Sequence, residues 1–142
     1  MGMSLKSCMV FSTGKQSFEI GDDEVEIGLG IHGEPGTHRE KMTTADHFTE
    51  KLFTQITQEA ALKKGEEVAV LVNGLGETTL IELFIINNRL QDLLREKEVT
   101  VVKTLVGNYM TSLDMGGFSI SIVKLDQETK QLLFAEQDTI AF

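Results

Sequence analysis

The order in which two apolar periodicities follow one another constrains the fold of this chain more than any other feature. Strand-like segments come first, and strands then alternate with two long helical stripes. Met3 to Phe11 is apolar and β-tolerant, and after a Ser12-Thr13-Gly14 break the stretch around Phe18 to Ile20 reads as a second short strand. Gly21, Asp22 and Asp23 make a turn. Val25, Ile27, Leu29 and Ile31 then alternate with Glu26, Gly28, Gly30 and His32, the period of two of a strand with one buried face. On that phase His32 ends the strand facing away from its apolar side.

Gly33-Glu34-Pro35-Gly36 cannot continue a central strand, because proline lacks an N–H donor and the glycines favour turns. Thr43 with Asp46 three residues later marks a helix start, and Phe48, Leu52, Phe53, Ile56 and Ala60 recur at helical spacing until Lys64 and Gly65. The spacing predicts one helix over about Thr44 to Lys63 and another over about Thr78 to Lys97, the second carrying Leu80, Leu83, Phe84, Ile86, Leu90, Leu93 and Leu94. Between them Val68 to Val72 reads as a buried strand followed by an Asn73-Gly-Leu-Gly76 loop, and Val99 to Val102 reads as a further strand. A glycine-bounded loop over Gly107 to Gly117, with room for one helical turn, precedes a strand marked by Phe118, Ile120 and Ile122. Asp126 opens a last helix through Leu132, Leu133 and Phe134. Paired strands followed by strands interleaved with helices predict an α/β domain of two layers, a mixed β-sheet with helices mainly on one face. A three-layer doubly wound sheet is the alternative.

A length of 142 residues fits a single domain, since domains cluster at roughly 100 to 150 residues. The formal net charge of -9 repels phosphate backbones and anionic lipid, so neither nucleic acid nor membrane is expected as a direct partner. One cysteine, Cys8, can form neither an intrachain disulfide nor a structural zinc cluster, and with no signal peptide or apolar span in the sequence the expected location is the cytoplasm.

Gly28-Leu-Gly30-Ile-His-Gly33 matches the dinucleotide pattern G-x-G-x-x-G in letters only, because Glu34, Pro35 and Gly36 put a loop and a negative charge where a helix N-terminus should receive pyrophosphate. Ser12-Thr-Gly14-Lys15-Gln-Ser17 fails as a P-loop: Met9 occupies the required glycine position and Gln16 the required hydroxyl position. His32, His38 and His47 lack metal-ligand spacing. His47 falls in the first turn of a helix and His38 in a polar loop, both expected to face solvent. Asp114 reads as a turn-capping residue and is assigned no catalytic part. His32 sits among glycines that let a small ligand approach the backbone closely, so its imidazole is either a functional group or the partner of a loop carbonyl.

Three segments in order, Gly28-Leu-Gly-Ile-His-Gly-Glu-Pro-Gly36, Asn73-Gly-Leu-Gly76 and Gly107-Asn-Tyr-Met-Thr-Ser-Leu-Asp-Met-Gly-Gly-Phe-Ser119, resemble signature segments of dihydroxyacetone kinase K subunits. The likeness runs from about Met3 past Leu125 and points to the C-terminal lobe of such a subunit, the N-terminal lobe lying outside this sequence. The resemblance implies that His32 attacks the ketone carbon of dihydroxyacetone to form a covalent hemiaminal, with Gly30, Gly33 and Glu34 in the substrate loop. It also implies partners: the N-terminal lobe with its acid/base residues, a second copy in a homodimer, and a nucleotide-binding L-type subunit. That separate subunit would hold ATP or ADP and magnesium, and no cofactor is expected in this chain. A noncatalytic dihydroxyacetone-sensing regulator of the same family is the alternative function, and a purely structural interaction module a weaker third. As an isolated lobe the chain is expected to lack kinase activity.

Overall fold

The structure, a computed structural model, describes residues 1–30 and 35–139. The elements in chain order are β1 (Gly2–Ser4), β2 (Met9–Val10), β3 (Lys15–Gln16), β4 (Glu24–Leu29), β5 (His38–Lys41), α1 (Ala45–Glu59), β6 (Glu67–Gly74), α2 (Leu80–Glu96), β7 (Thr100–Gly107), β8 (Gly117–Leu125) and α3 (Gln127–Leu133). Six strands form one mixed sheet in the order β5-β4-β1-β8-β6-β7, while β2 and β3 form a separate hairpin. Among the described strands of the sheet, β6 and β7 are the parallel pair, joined by the α2 crossover that such a pair requires. The α/β, mixed-sheet class expected from the sequence is the one observed.

Alternation along the central strands divides the sheet into two unlike faces. Val68, Val70 and Val72 of β6, with Phe118 and Ile120 of β8, pack against Phe48, Leu52 and Phe53 of α1 and Leu83, Ile86, Leu90 and Leu94 of α2. Leu71 and Asn73 of β6 and Ser119 and Ser121 of β8 therefore point to the other face. Helix α3 buries no side chain; Lys130 bonds Glu67 at 2.8 Å, and Lys103 Nζ lies 5.6 Å from the ring centre of Phe134, which caps the helix. Among the described residues no helix is long and apolar enough to cross a membrane.

Both long helices start where a threonine can accept from the first turn. Thr44 caps α1 by accepting from His47 N at 3.2 Å, one residue later than the Thr43 signal, and Thr79 forms a reciprocal capping box with Glu82 at α2. The second ends where periodicity predicts, with Lys97 as its C-cap, but the first ends earlier. Ala61, at φ 46°, donates to Gln58 O while Leu62 N reaches back to Thr57 O at 3.1 Å, so α1 stops at Glu59 rather than near Lys63. Glu98, at φ 56°, ends α2 likewise, with Val99 N on Leu94 O at 3.0 Å. In each case the following apolar residue, Leu62 or Val99, is buried, and that contact pulls the chain into the left-handed turn without a glycine.

The first forty residues depart most from expectation. The predicted Met3 to Phe11 strand is two pieces, β1 and β2, separated by a bend, and Phe18 to Ile20 is not a strand, the return strand being Lys15–Gln16. His38 lies on edge strand β5 rather than in a loop, although its side chain is exposed as expected. Strand β7 extends to Gly107, five residues beyond the predicted Val102, and the 108–116 segment contains no helical turn. The apolar phase of β4 also breaks. Gly2 pairs with Leu29 but Met3 with Ile27, so Gly28, at φ 80°, is an extra bulged residue. Val25 and Ile27 enter the core, whereas Leu29 is turned to the second face. Alternation from Val25 therefore breaks at Gly28, and the expected facing of His32 falls, with Ile31, Gly33 and Glu34, outside the described residues.

Candidate functional site

The second face of the sheet is covered only in part, and a cavity of about 560 Å3 opens between it and two loops. The floor is a row set by strand register: Leu29 of β4, Gly2 of β1, Ser119 of β8 and Asn73 of β6 are successive partners across four neighbouring strands. Ser121 and Leu71 form a second row beside it. Gly2 contributes no side chain, and a Cβ there would sit 3.3 Å from Leu29 O, so glycine leaves a trough between Leu29 and Ser119. Cys8, Val10 and Ser17 of the β2–β3 hairpin form one wall, and Met110 to Leu113 with Met115 form the other.

Asn73 holds the second wall in place. Its side-chain Oδ1 accepts from Tyr109 N at 2.9 Å and Met110 N at 2.8 Å, while Nδ2 donates to Met110 O at 2.7 Å and to Ser119 Oγ at 3.3 Å. Only 2% exposed, it spends its whole hydrogen-bonding capacity on fixing the loop to the floor. The loop's far end is pinned by Thr78, whose Oγ1 accepts from Gly117 N at 2.8 Å and donates to Gly117 O at 2.7 Å. Ser112 N also donates to Leu75 O, and Glu77 N to Met115 O, each at 3.2 Å. Gly76, at φ 119°, is required for this approach, because a Cβ would lie 2.8 Å from Ser112 O.

The hairpin wall is tied by one carboxylate, Asp114, whose Oδ1 accepts from Met9 N at 3.0 Å. That N–H, and after it the Cys8 thiol, holds the Asp114 carboxyl below the usual carboxylate range. On the other side of β4, Glu26 is a buried carboxylate that accepts from Gly36 N at 2.8 Å and from Arg39 Nε at 2.7 Å. With Thr37 N on Ile27 O at 2.7 Å, these bonds fix the chain where it re-enters the described structure after residue 34.

Of the residues assigned to a substrate loop from sequence, Gly30 lines the cavity, and His32, Gly33 and Glu34 lie outside the described residues. The three glycine-rich segments do meet: Gly30, Leu75 and the 110–113 loop share this cavity, and Gly76 pairs with Met115 in a parallel bridge. Sequence reasoning singled out the segments holding Asn73 and Ser119 but missed the clamp that Asn73 makes and the place of Ser119 and Ser121 on the floor. Their signal was present, since Ser119 and Ser121 interrupt Phe118, Ile120 and Ile122 at a period of two. What that polar face adjoins depends on a loop whose path no periodicity encodes.

The architecture is that of an α/β domain with one helix-covered face and, on the other, a cavity at the strand ends where three glycine-rich segments converge. A family model described as the Dak1 domain matches residues 1–141, and the chain belongs to that family. The dihydroxyacetone-binding subunit of a PTS-dependent dihydroxyacetone kinase from Listeria innocua is 46% identical over 143 residues, covering 100% of this chain and 44% of the relative. The corresponding subunit of the PEP-dependent kinase of Escherichia coli is 35% identical, covering 99% of this chain and 46% of its own length. Human triokinase/FMN cyclase is 36% identical, with 25% of its length covered. Among solved structures, the dihydroxyacetone kinase operon co-activator Dha-DhaQ superposes with a TM-score of 0.84 at 34% identity, over 93% of this chain and 40% of that one. The C. freundii dihydroxyacetone kinase in complex with AMP-PNP and Mg2+ gives 0.71 at 27% identity, over 95% and 25%. The chain thus spans less than half the length of these relatives.

Proposed function

We propose that this chain is the carbonyl-capturing lobe of a dihydroxyacetone-binding kinase subunit, with His32 as the nucleophile. The observation that carries the reading is positional: Gly30, two residues before His32, lines the cavity on which the three family-like segments converge. In the capture step the unprotonated imidazole nitrogen attacks the ketone carbon, the C=O π bond breaks, and the proton of the other ring nitrogen passes to the former carbonyl oxygen. A neutral hemiaminal results. Glycerol has no carbonyl and is excluded by reactivity. Gly30, Gly33 and Glu34 make up the substrate loop in this reading, as the family resemblance implies.

Phosphoryl transfer in the whole protein draws on parts beyond this chain: an N-terminal lobe with acid/base groups, and a separate L-type subunit holding ATP or ADP with magnesium. The PTS- and PEP-dependent names of the bacterial relatives favour a phosphoenolpyruvate-fed donor over free ATP. A homodimer is part of the reading, in keeping with the exposed apolar stripe of Leu80, Ile81, Phe84 and Ile85 on α2. A cytoplasmic location completes it.

The second reading, a dihydroxyacetone sensor that regulates through a partner, is favoured by the higher TM-score of the co-activator, 0.84 against 0.71 for the kinase. Both readings need the same capture step. The test is 13C NMR with dihydroxyacetone labelled at the carbonyl carbon: a new tetrahedral-carbon signal that is absent from His32→Ala is expected. An unchanged spectrum with the wild-type chain overturns the reading.

A further inference from the structure

Glu26 is a carboxylate placed within a strand, and its side chain is only 5% exposed. Taking an ionised carboxyl out of water is costly unless it is paired and hydrogen-bonded. Both oxygens bond to the chain that returns beside β4: Oε1 accepts from Gly36 N at 2.8 Å and Oε2 from Arg39 Nε at 2.7 Å. On the opposite side the register partner of Glu26 is Ser4 of β1, fully buried, whose Oγ has no hydrogen-bond partner among the described residues. The carboxylate is therefore tied toward β5 and not toward β1. One residue further on, Thr37 N donates to Ile27 O at 2.7 Å, and two glycines let the chains close this tightly. A Cβ at Gly36 would overlap the Ile27 carbonyl oxygen, and one at Gly28, whose φ is 80°, would lie 2.9 Å from Thr37 Oγ1.

An ion pair of this kind adds little stability of its own, because well-packed apolar side chains of similar volume often do as well or better. Apolar side chains cannot reproduce its geometry: two directional bonds from one strand position to two points, Gly36 and Arg39, on the returning chain. The bulge at Gly28 turns Leu29 onto the second face, so that Leu29 and Gly30 line the cavity, and the Glu26 clasp holds Gly36, where the same span rejoins the sheet. We infer that Glu26 is a positioning residue for the capture step, fixing from inside the sheet the two ends of the span that carries His32. Tethering both ends narrows the positions open to the span, and such preorganisation lowers the ordering cost of binding. The inference rests on the capture reading for the identity of the nucleophile. Its geometry rests on Glu26, Gly28, Gly36, Thr37 and Arg39, none of which lines the cavity.

The experiment measures the apparent Kd of the hemiaminal, from the tetrahedral-carbon signal on titrating the full chain with carbonyl-13C dihydroxyacetone, beside the urea midpoint of each variant. Glu26→Leu removes both acceptors and should weaken adduct formation about tenfold, the cost of a small misplacement of a reacting group. Glu26→Gln can still accept from Gly36 N and should recover part of that loss. Gly36→Ala, which displaces the same point from β4 and leaves the carboxylate intact, should weaken the adduct as Glu26→Leu does. Ile86→Val loosens the core on the helix face and serves as the control: its urea midpoint should fall with the adduct Kd unchanged. A merely structural Glu26 would lower the midpoint as Ile86→Val does and leave the Kd alone. A wild-type Kd in folded Glu26→Leu and Gly36→Ala overturns the positioning role while capture stands. No adduct in the wild-type chain overturns capture, and the positioning role with it.

Discussion

Asn73 and Met110 exchange two hydrogen bonds, from Met110 N to Asn73 Oδ1 at 2.8 Å and from Asn73 Nδ2 to Met110 O at 2.7 Å, so a buried carboxamide pairs with the loop as a neighbouring strand would. Replacing Asn73 by alanine removes its part-buried bonds to two loop amides and a carbonyl, at about 0.5 to 1.5 kcal/mol for each. Water entering the cavity lowers the total. Asn73→Ala is expected to lose about 2 to 4 kcal/mol in urea denaturation. Asn73→Asp keeps the acceptor but removes the donor and adds a buried charge, so it should be no more stable than the alanine variant.

Gly117 is the point at which β8 enters the sheet beside β1. Its φ is 146°, and an added Cβ would overlap the Met3 carbonyl oxygen and lie 2.7 Å from Ser4 Cα. Both obstacles are backbone atoms of the paired strand and cannot rotate away. Gly117→Ala is therefore expected to cost at least about 1 to 3 kcal/mol in backbone strain, before any loss of β1 pairing. Thermal unfolding with the wild-type midpoint would contradict this.

How much of this was readable before the structure depends on what each segment reports about itself. Leu83, Leu90 and Leu94 announce a helix because its buried face recurs along the chain, and Val68, Val70 and Val72 announce a central strand by their β-branched run. The four residues of β5, His38-Arg39-Glu40-Lys41, contain no apolar period. They form a strand because β4 offers a free edge and the buried Glu26 binds Arg39, and such charged edges discourage further pairing. The phase change at Gly28 was equally hidden, since alternation assumes an unbroken pleat. In the candidate site, the convergence of the glycine-rich segments was legible through the resemblance. The serine floor and the Asn73 clamp were not, because both arise from the register between strands distant in sequence.

Asp114 gives the cavity a pH-dependent wall. Its carboxyl is held below the usual range chiefly by Met9 N–H, which makes the ionised form the one that secures the hairpin. A carboxylate depressed in the folded state adds stability above its unfolded pKa of about 4 and loses it as pH falls through the lower folded value. The tie is therefore complete at neutral pH and releases only in acid. The Met9 amide proton should titrate with a midpoint below that of an ordinary aspartate. In Asp114→Ala that titration should vanish, with faster amide exchange over residues 8–17 and little change in global unfolding.

Alone, this chain is expected not to phosphorylate a ketose. Moving a phosphoryl group onto a ketose hydroxyl requires a base for the hydroxyl proton, a positioned donor and positive charge to balance the transferring oxygens. Among the described residues lining the cavity there is no Asp, Glu, His, Lys or Arg. His32 is occupied by the ketone carbon in the proposed adduct and cannot serve as the base as well. Positioning supplies a large share of the rate in such transfers, and in the proposed reading this lobe positions the acceptor only. Incubated with dihydroxyacetone, ATP and magnesium, the chain should therefore release ADP at the buffer rate, while the hemiaminal signal still forms. His32→Ala should remove that signal without altering the background. Sustained ketose phosphorylation by the chain alone, retained in His32→Ala, would show that the chemistry lies elsewhere in the molecule.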